Sequence, residues 1–147
     1  MLKKSKSLEM IATICFTVLI SAICILIHGS VLHYLENLKV QRIDYLVFTR
    51  FSSILMLSHL IHISIFALFY AYFYESHDAA KLFGGNVQDS FIDFFYFSIS
   101  CYTTLGIGDV YPLGNMRITT GIEALVGLML IAWTATFKLS YLFKIRR

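Results

Sequence analysis

Charge is what this chain has least of. Asp, Glu, Lys and Arg together supply 14% of its 147 residues against 58% hydrophobic, and the mean hydropathy is +0.73. That balance excludes an ordinary water-solvated surface and fits a protein whose solvent is mainly lipid. The formal net charge of +3 is small, with basic residues dispersed or terminal. No basic stripe interleaved with aromatics exists, so nucleic acid is not an expected partner. Proline occurs once, and no proline-rich linker, internal repeat or low-complexity tract is visible. Cysteine is scarce and odd in number: Cys15, Cys24 and Cys101 all lie in apolar segments. The first two fall about half a turn out of phase on a helix, so small buried hydrophobes are expected rather than a disulfide. With no Ser-His-Asp order, cysteine-zinc spacing or phosphate loop, no enzyme is expected and no cofactor.

Long apolar runs are abundant. Crossing a hydrocarbon core takes about 20 apolar helical residues, and three segments qualify: Met10 to Leu35, Phe51 to Tyr74 and Met116 to Phe143. A fourth run, Ser90 to Cys101, is too short to span and reads as a re-entrant helix. Non-helical backbone after such a helix is tolerated at membrane depth where protein or a water-filled cavity surrounds it. Asp89 or Ser90, followed by Asp93, supplies its cap and a favourable charge at its start. Lys3, Lys4 and Lys6 before the first run have the look of a secretory signal, but the run is longer than a signal core and lacks a small-x-small cleavage site. It is read as a retained helix.

The most informative stretch is Thr103-Thr104-Leu105-Gly106-Ile107-Gly108-Asp109-Val110-Tyr111-Pro112. A dehydrated cation must meet oxygens that replace its water shell, and rings of backbone carbonyls supply them. Carbonyls of an extended strand point to alternate sides, so aligning them requires unusual dihedrals at every second residue. Gly106 and Gly108 provide these at little steric cost, and the Thr104 hydroxyl adds one more oxygen at the inner end. Asp109 comes next, where the strand would emerge into water.

On these residues the stretch from about Phe51 to Phe143 resembles the potassium-channel pore domain in its small prokaryotic form. The resemblance implies an all-α membrane fold of three transmembrane helices plus a re-entrant pore helix and filter loop. It divides the chain into an extra helix and connection over 1–50 and a pore domain over 51–147. Within the latter come an outer helix 51–74, a turret 75–89, a pore helix 90–102, a filter 103–109 and an inner helix 116–143. It further implies a homotetramer in membrane lipid that passes monovalent cations, with K+ held at Thr104, Leu105, Gly106 and Ile107 and supported by Thr103, Asp109, Tyr96, Phe97 and Ser100. Ile107 departs from the family pattern, where an aromatic is usual, and Ser100 stands where many relatives place a buried acid. Fewer side-chain ties make a softer filter, so a weakly selective or non-selective cation pore is the alternative. No arginine-rich voltage-sensing helix and no long cytoplasmic domain for nucleotides or calcium are expected.

An outward-facing filter, as the resemblance implies, puts Phe51 and Arg147 on the cytoplasmic side of a cell membrane and Met1 outside. Basic residues then divide seven inside (Lys39, Arg42, Arg50, Lys138, Lys144, Arg146, Arg147) to five outside (Lys3, Lys4, Lys6, Lys81, Arg117), a weak bias that the Lys3, Lys4, Lys6 cluster opposes. The turret's His77, Asp78 and Lys81 are expected to form a solvated loop, with Gly84-Gly85 as a turn.

On the last helix Thr120, Ala124, Gly127, Ile131, Thr134, Ala135 and Lys138 share a face of small and polar residues, fit either for a water-filled cavity or for close packing. Gly127 occupies the place where relatives often carry a hinge glycine. Lys138 would ring an inner mouth with charge or snorkel to the interface. Glu123 is an intramembrane carboxylate expected to pair with His62 or with a pore-helix hydroxyl such as Ser100. Two rival classes remain: a haem or metal protein built on His28, His33, His59 and His62, and a non-conducting subunit that keeps the pore fold.

Overall fold

The computed structural model describes residues 2–38, 45–76, 81–85 and 90–145. Four helices make up most of the described residues: α1 (Leu2–Asn37), α2 (Tyr45–Ser76), the short α3 (Phe91–Tyr102) and α4 (Met116–Ile145). Three are long and apolar enough to cross a membrane, over Ser7–Asn37, Tyr45–Tyr74 and Met116–Phe143. The shortest of these spans, 28 residues, is about 42 Å long at 1.5 Å per residue. That exceeds a hydrocarbon core of about 30 Å, so the helices tilt or carry their ends into the headgroups.

The outer helix begins at Tyr45, earlier than Phe51, because Tyr45, Leu46, Val47 and Phe48 continue its apolar character with no breaker before them. The fold is helical as expected, with one short strand pair among the described residues. Leu82–Phe83 (β1) and Tyr111–Pro112 (β2) pair antiparallel, with Leu82 opposite Pro112 and Phe83 opposite Tyr111, and Leu113 N–H donates to the Lys81 carbonyl at 2.8 Å. This clasp ties residues 81–83 to the strand that follows the 103–109 loop. Gly84 and Gly85 both have positive φ, and a Cβ on Gly84 would stand 2.1 Å from the Asp109 carbonyl oxygen. Gly84 is thus a turn glycine and also a close-approach glycine. Residues 77–80 and 86–89 of the expected turret, among them His77, Asp78 and Asp89, lie outside the described residues.

The main core joins all four helices: Cys24 of α1, Phe66, Tyr70 and Phe73 of α2, Phe94 and Phe97 of α3, Met116, Val126 and Leu130 of α4. A second cluster, Leu32, Leu35, Phe51, Leu55 and Tyr141, closes the other end. The inward face of α1 is mostly small and polar, with Thr13, Thr17, Ser21, Cys24 and His28 buried, while Ile11, Phe16, Val18, Leu19 and Leu26 are exposed. Thr13, Thr17 and Ser21 each return a hydroxyl to the carbonyl four residues back, which satisfies them without water. That inversion suits lipid, where apolar residues gain nothing by turning inward and small ones permit close packing.

The first helix does more than pack on the outer helix. It also packs on the inner helix: Thr17 and Thr119 share a buried hydroxyl contact of 2.9 Å, Gly29 faces the Trp133 ring, and Tyr141 donates to the Leu38 carbonyl. Its polar face finds partners on α4 that a lipid-facing position would deny it. Cys24 is buried but Cys15 is exposed, and neither is in a disulfide.

Candidate pore loop and its supports

Ser90 caps α3 in a reciprocal box. Its hydroxyl accepts from Asp93 N–H, and the Asp93 carboxylate accepts from Ser90 N–H at 3.1 Å, satisfying donors the helix leaves open. After Tyr102 the chain reverses and runs back along the same helix. Thr103 closes the end with N–H and hydroxyl bonds to Ile99 O, and Thr104 N–H reaches Cys101 O at 2.9 Å. Gly106 N–H donates to the Ser100 carbonyl and Ile107 N–H to the Ser100 hydroxyl at 3.3 Å. Tyr96 donates to Asp109 Oδ2 at 2.8 Å, and this bond holds the Tyr96 phenol above its ordinary pKa range. One buried serine and one tyrosine thus pin the middle and the exit of the loop to α3.

The loop's backbone alternates. Thr104, Gly106 and Gly108 have φ of +57°, +58° and +85°, while Leu105 and Ile107 between them do not enter the left-handed region. Reversing the sign at every second residue turns successive carbonyls toward one side, which an ordinary strand cannot do. Two of the three positions are glycines, which accept the conformation freely. Thr104 is the one non-glycine with positive φ among the described residues, a conformation that costs a side-chain-bearing residue about 1–2 kcal/mol. The residues from Thr103 to Asp109 are exposed, Leu105 to 65% and Ile107 to 53%, so in a single chain the loop is open on one side.

Phe97 was expected to support this loop, but its ring lies 5.1 Å from that of Tyr70 on α2. It anchors α3 to the bundle from the opposite face. Ile107 lacks a hydrogen-bonding side chain, as read from the sequence, yet its backbone N–H makes the tie that its side chain cannot.

Behind the loop Glu123 is fully buried. The expected pairing with His62 is not found. Glu123 Oε2 accepts from the Tyr70 hydroxyl and Oε1 contacts the Ser98 hydroxyl, both at 2.5 Å. The α3 partner is therefore Ser98 rather than Ser100. Ser98 also lies 2.9 Å from Ile63 O, so one acid and two hydroxyls join α2, α3 and α4. His62 instead faces Tyr102, with Nδ1 at 3.2 Å from its hydroxyl. Helical periodicity could have flagged both missed residues. Tyr70 continues the buried series Ser58, His62, Phe66, and Ser98 shares the buried face of Phe94 and Phe97.

Three residues of α4 find neighbours within this chain. Thr134 packs as one of the two alternatives had it: its hydroxyl lies 3.0 Å from His59 Nε2 and 3.1 Å from His28 Nε2, turned toward α1 and α2. Lys138 does not stand in an inner mouth of this chain, because Nζ donates to Ser52 Oγ at 2.9 Å and lies 4.4 Å from the centre of the Phe48 ring. Its long stem reaches across to α2, where a hydroxyl and an aromatic face are available. At Gly127, α4 is continuous, and a Cβ would stand 2.0 Å from the Tyr102 carbonyl oxygen. Gly127 is the point where the end of α3 presses against the inner helix. Of the histidines, His28 joins His59 and His62, whereas His33 is exposed beside Asn37.

Three helices long and apolar enough to span and a short apolar helix that presents a pinned loop define a multi-pass membrane protein. A family model described as an ion channel matches residues 57–144, from within α2 to near the end of α4, and the chain belongs to that ion channel family. No curated protein and no solved structure matches it significantly.

Proposed function

We propose that the chain forms a homotetrameric potassium channel in the cell membrane, with four copies of Thr104-Leu105-Gly106-Ile107-Gly108 lining the ion path. The observation that carries this reading is the positive φ at Thr104, Gly106 and Gly108 in a loop pinned by Ser100 and Tyr96. Carbonyls turned to one side, repeated around an axis, replace a cation's hydration shell. The single chain carries one copy, and its exposed loop is completed by three others. The C-terminal end of α3 contributes negative dipole density to the ion path. The protein is a passive conduit rather than an enzyme. The filter faces outward and the C-terminus lies in the cytoplasm, consistent with the modest excess of basic residues on that side.

The test is the reversal potential of purified protein in planar bilayers under opposed potassium and sodium gradients. Gly106→Ala is the control, because a Cβ there meets nothing within 4 Å and acts only through the backbone. A reversal near the potassium limit, with current lost in the variant, supports the reading. A potential near zero means a weakly selective cation pore, and absence of current under every pH and voltage would leave a non-conducting subunit.

A further inference from the structure

Three histidines that the pore reading does not use meet where α1, α2 and α4 approach the end of α3. His28 comes from α1, His59 and His62 from α2, three residues apart. One ring nitrogen of each lies within 4.8 Å of the others, and the ring centroids are 5.1, 5.5 and 6.0 Å apart. Three imidazoles on a tetrahedral ion, with metal–nitrogen bonds of about 2.0 Å, place their centroids about 5 Å apart. The rings need to close by no more than about 1 Å to reach that arrangement.

The hydrogen bonds sort the six ring nitrogens into two sets. Every Nδ1 has a hydroxyl oxygen beside it: Ser58 for His28 at 3.4 Å, and Tyr102 for His59 and His62 at 2.8 and 3.2 Å. The Nε2 atoms are poorly served. Those of His28 and His59 share the single Thr134 hydroxyl, and that of His62, a fully buried residue, has no partner among the described residues. A buried ring nitrogen left without a partner carries a desolvation cost that native structures rarely leave unmatched.

We propose that His28, His59 and His62 form a binding site for a late first-row divalent cation of the zinc class, ligated through the three Nε2 atoms. In that state each Nδ1–H donates to its hydroxyl oxygen, which fixes tautomer and ring orientation as outer-shell partners do in metal sites. Imidazole nitrogen is a favoured ligand for this class of ion. The fourth position is taken by water or by the Thr134 hydroxyl. The ion would staple α1, which lies outside the ion channel match, to α2, and through Tyr102 it would adjoin the end of α3 from which the loop departs.

The site is tested on untagged, full-length protein in lipid nanodiscs, stripped with chelator and equilibrated with Zn2+. One zinc per chain is expected by elemental analysis, falling at least tenfold in His62→Ala and in His28→Ala and unchanged in the exposed-histidine control His33→Ala. Wild-type protein loaded with Co2+ should show the intense visible bands of tetrahedral coordination, and Zn2+ should raise its melting temperature until chelator is added. These wild-type readouts hold even if a histidine variant fails to fold. Zinc content below a tenth per chain, a weak octahedral cobalt spectrum, or stoichiometric zinc that survives His62→Ala would each overturn the proposal. None of these measurements depends on current, so the site and the channel reading fail separately.

Discussion

The same substitution at two glycines of one helix should have opposite effects. Gly121 and Gly127 both lie inside α4, and alanine is favoured over glycine in a helix interior by about 1 kcal/mol. At Gly121 a Cβ meets nothing within 4 Å, whereas at Gly127 it would stand 2.0 Å from Tyr102 O, 2.8 Å from its C and 3.0 Å from its Cα. The first distance is about 1.5 Å short of an ordinary contact. The obstacle is backbone at the end of a capped helix, so no rotamer change relieves it and α3 must separate from α4. Overpacking of this kind costs about 1–3 kcal/mol, and the propensity gain offsets only part of it. Gly127→Ala is therefore expected to lower thermal stability in nanodiscs by several degrees, and Gly121→Ala to leave it unchanged or raise it. Because Tyr102 immediately precedes the loop, Gly127→Ala should also disturb conduction. Had Gly127 served only as a bend, the variant would keep its stability and change gating alone. Equal melting temperatures for Gly127→Ala and Gly121→Ala would refute the close-approach argument.

Removing the Ser100 hydroxyl in Ser100→Ala takes away the acceptor for Ile107 N–H. The net stability change should be about 1 kcal/mol, and potassium-over-sodium selectivity, read from reversal potentials, should fall while the protein still assembles. Glu123→Leu leaves the buried Tyr70 hydroxyl without its acceptor and Ser98 with only the Ile63 carbonyl; a loss of about 1–3 kcal/mol is expected. Glu123→Gln, which keeps one oxygen acceptor, should lose less than half of that, as measured by melting in the same lipid. Lys138→Met keeps the stem against Phe48 and removes only the Ser52 bond and the cation–ring contact. It should cost about 1 kcal/mol or less and leave single-channel conductance unchanged. A large conductance increase would show that the ammonium lies in the ion path after all.

Local features of this protein are legible in its sequence because they need only neighbours along the chain. Apolar length gives the three spans, Ser90 and Asp93 give the start of α3, and Gly106 and Gly108 mark positions where a backbone of reversed φ is cheap. The sequence does not show that Thr104 joins that alternation. Threonine has no intrinsic preference for the left-handed region, and only the reversal at the end of α3 forces it there. Nor does it show the clasp between Leu82–Phe83 and Tyr111–Pro112, since two-residue strands leave no period to read.

Tertiary structure alone decided which polar groups meet. A helix advances about 100° per residue, so Ser98 and Ser100, two apart, face nearly opposite ways: the first meets Glu123, the second the loop. Depth along the membrane axis, the quantity apolar length supplies, allowed His62 and Ser100 as partners of Glu123 equally well. Rotation about each helix axis excluded both and turned His62 toward His28 and His59. That rotation is set by close packing, such as Gly127 against Tyr102 and α1 against α4, among residues far apart along the chain. The sequence by itself determined which segments enter the membrane and where the loop lies; the rotational registry of four helices, fixed by contacts between them, decided what each buried polar side chain does.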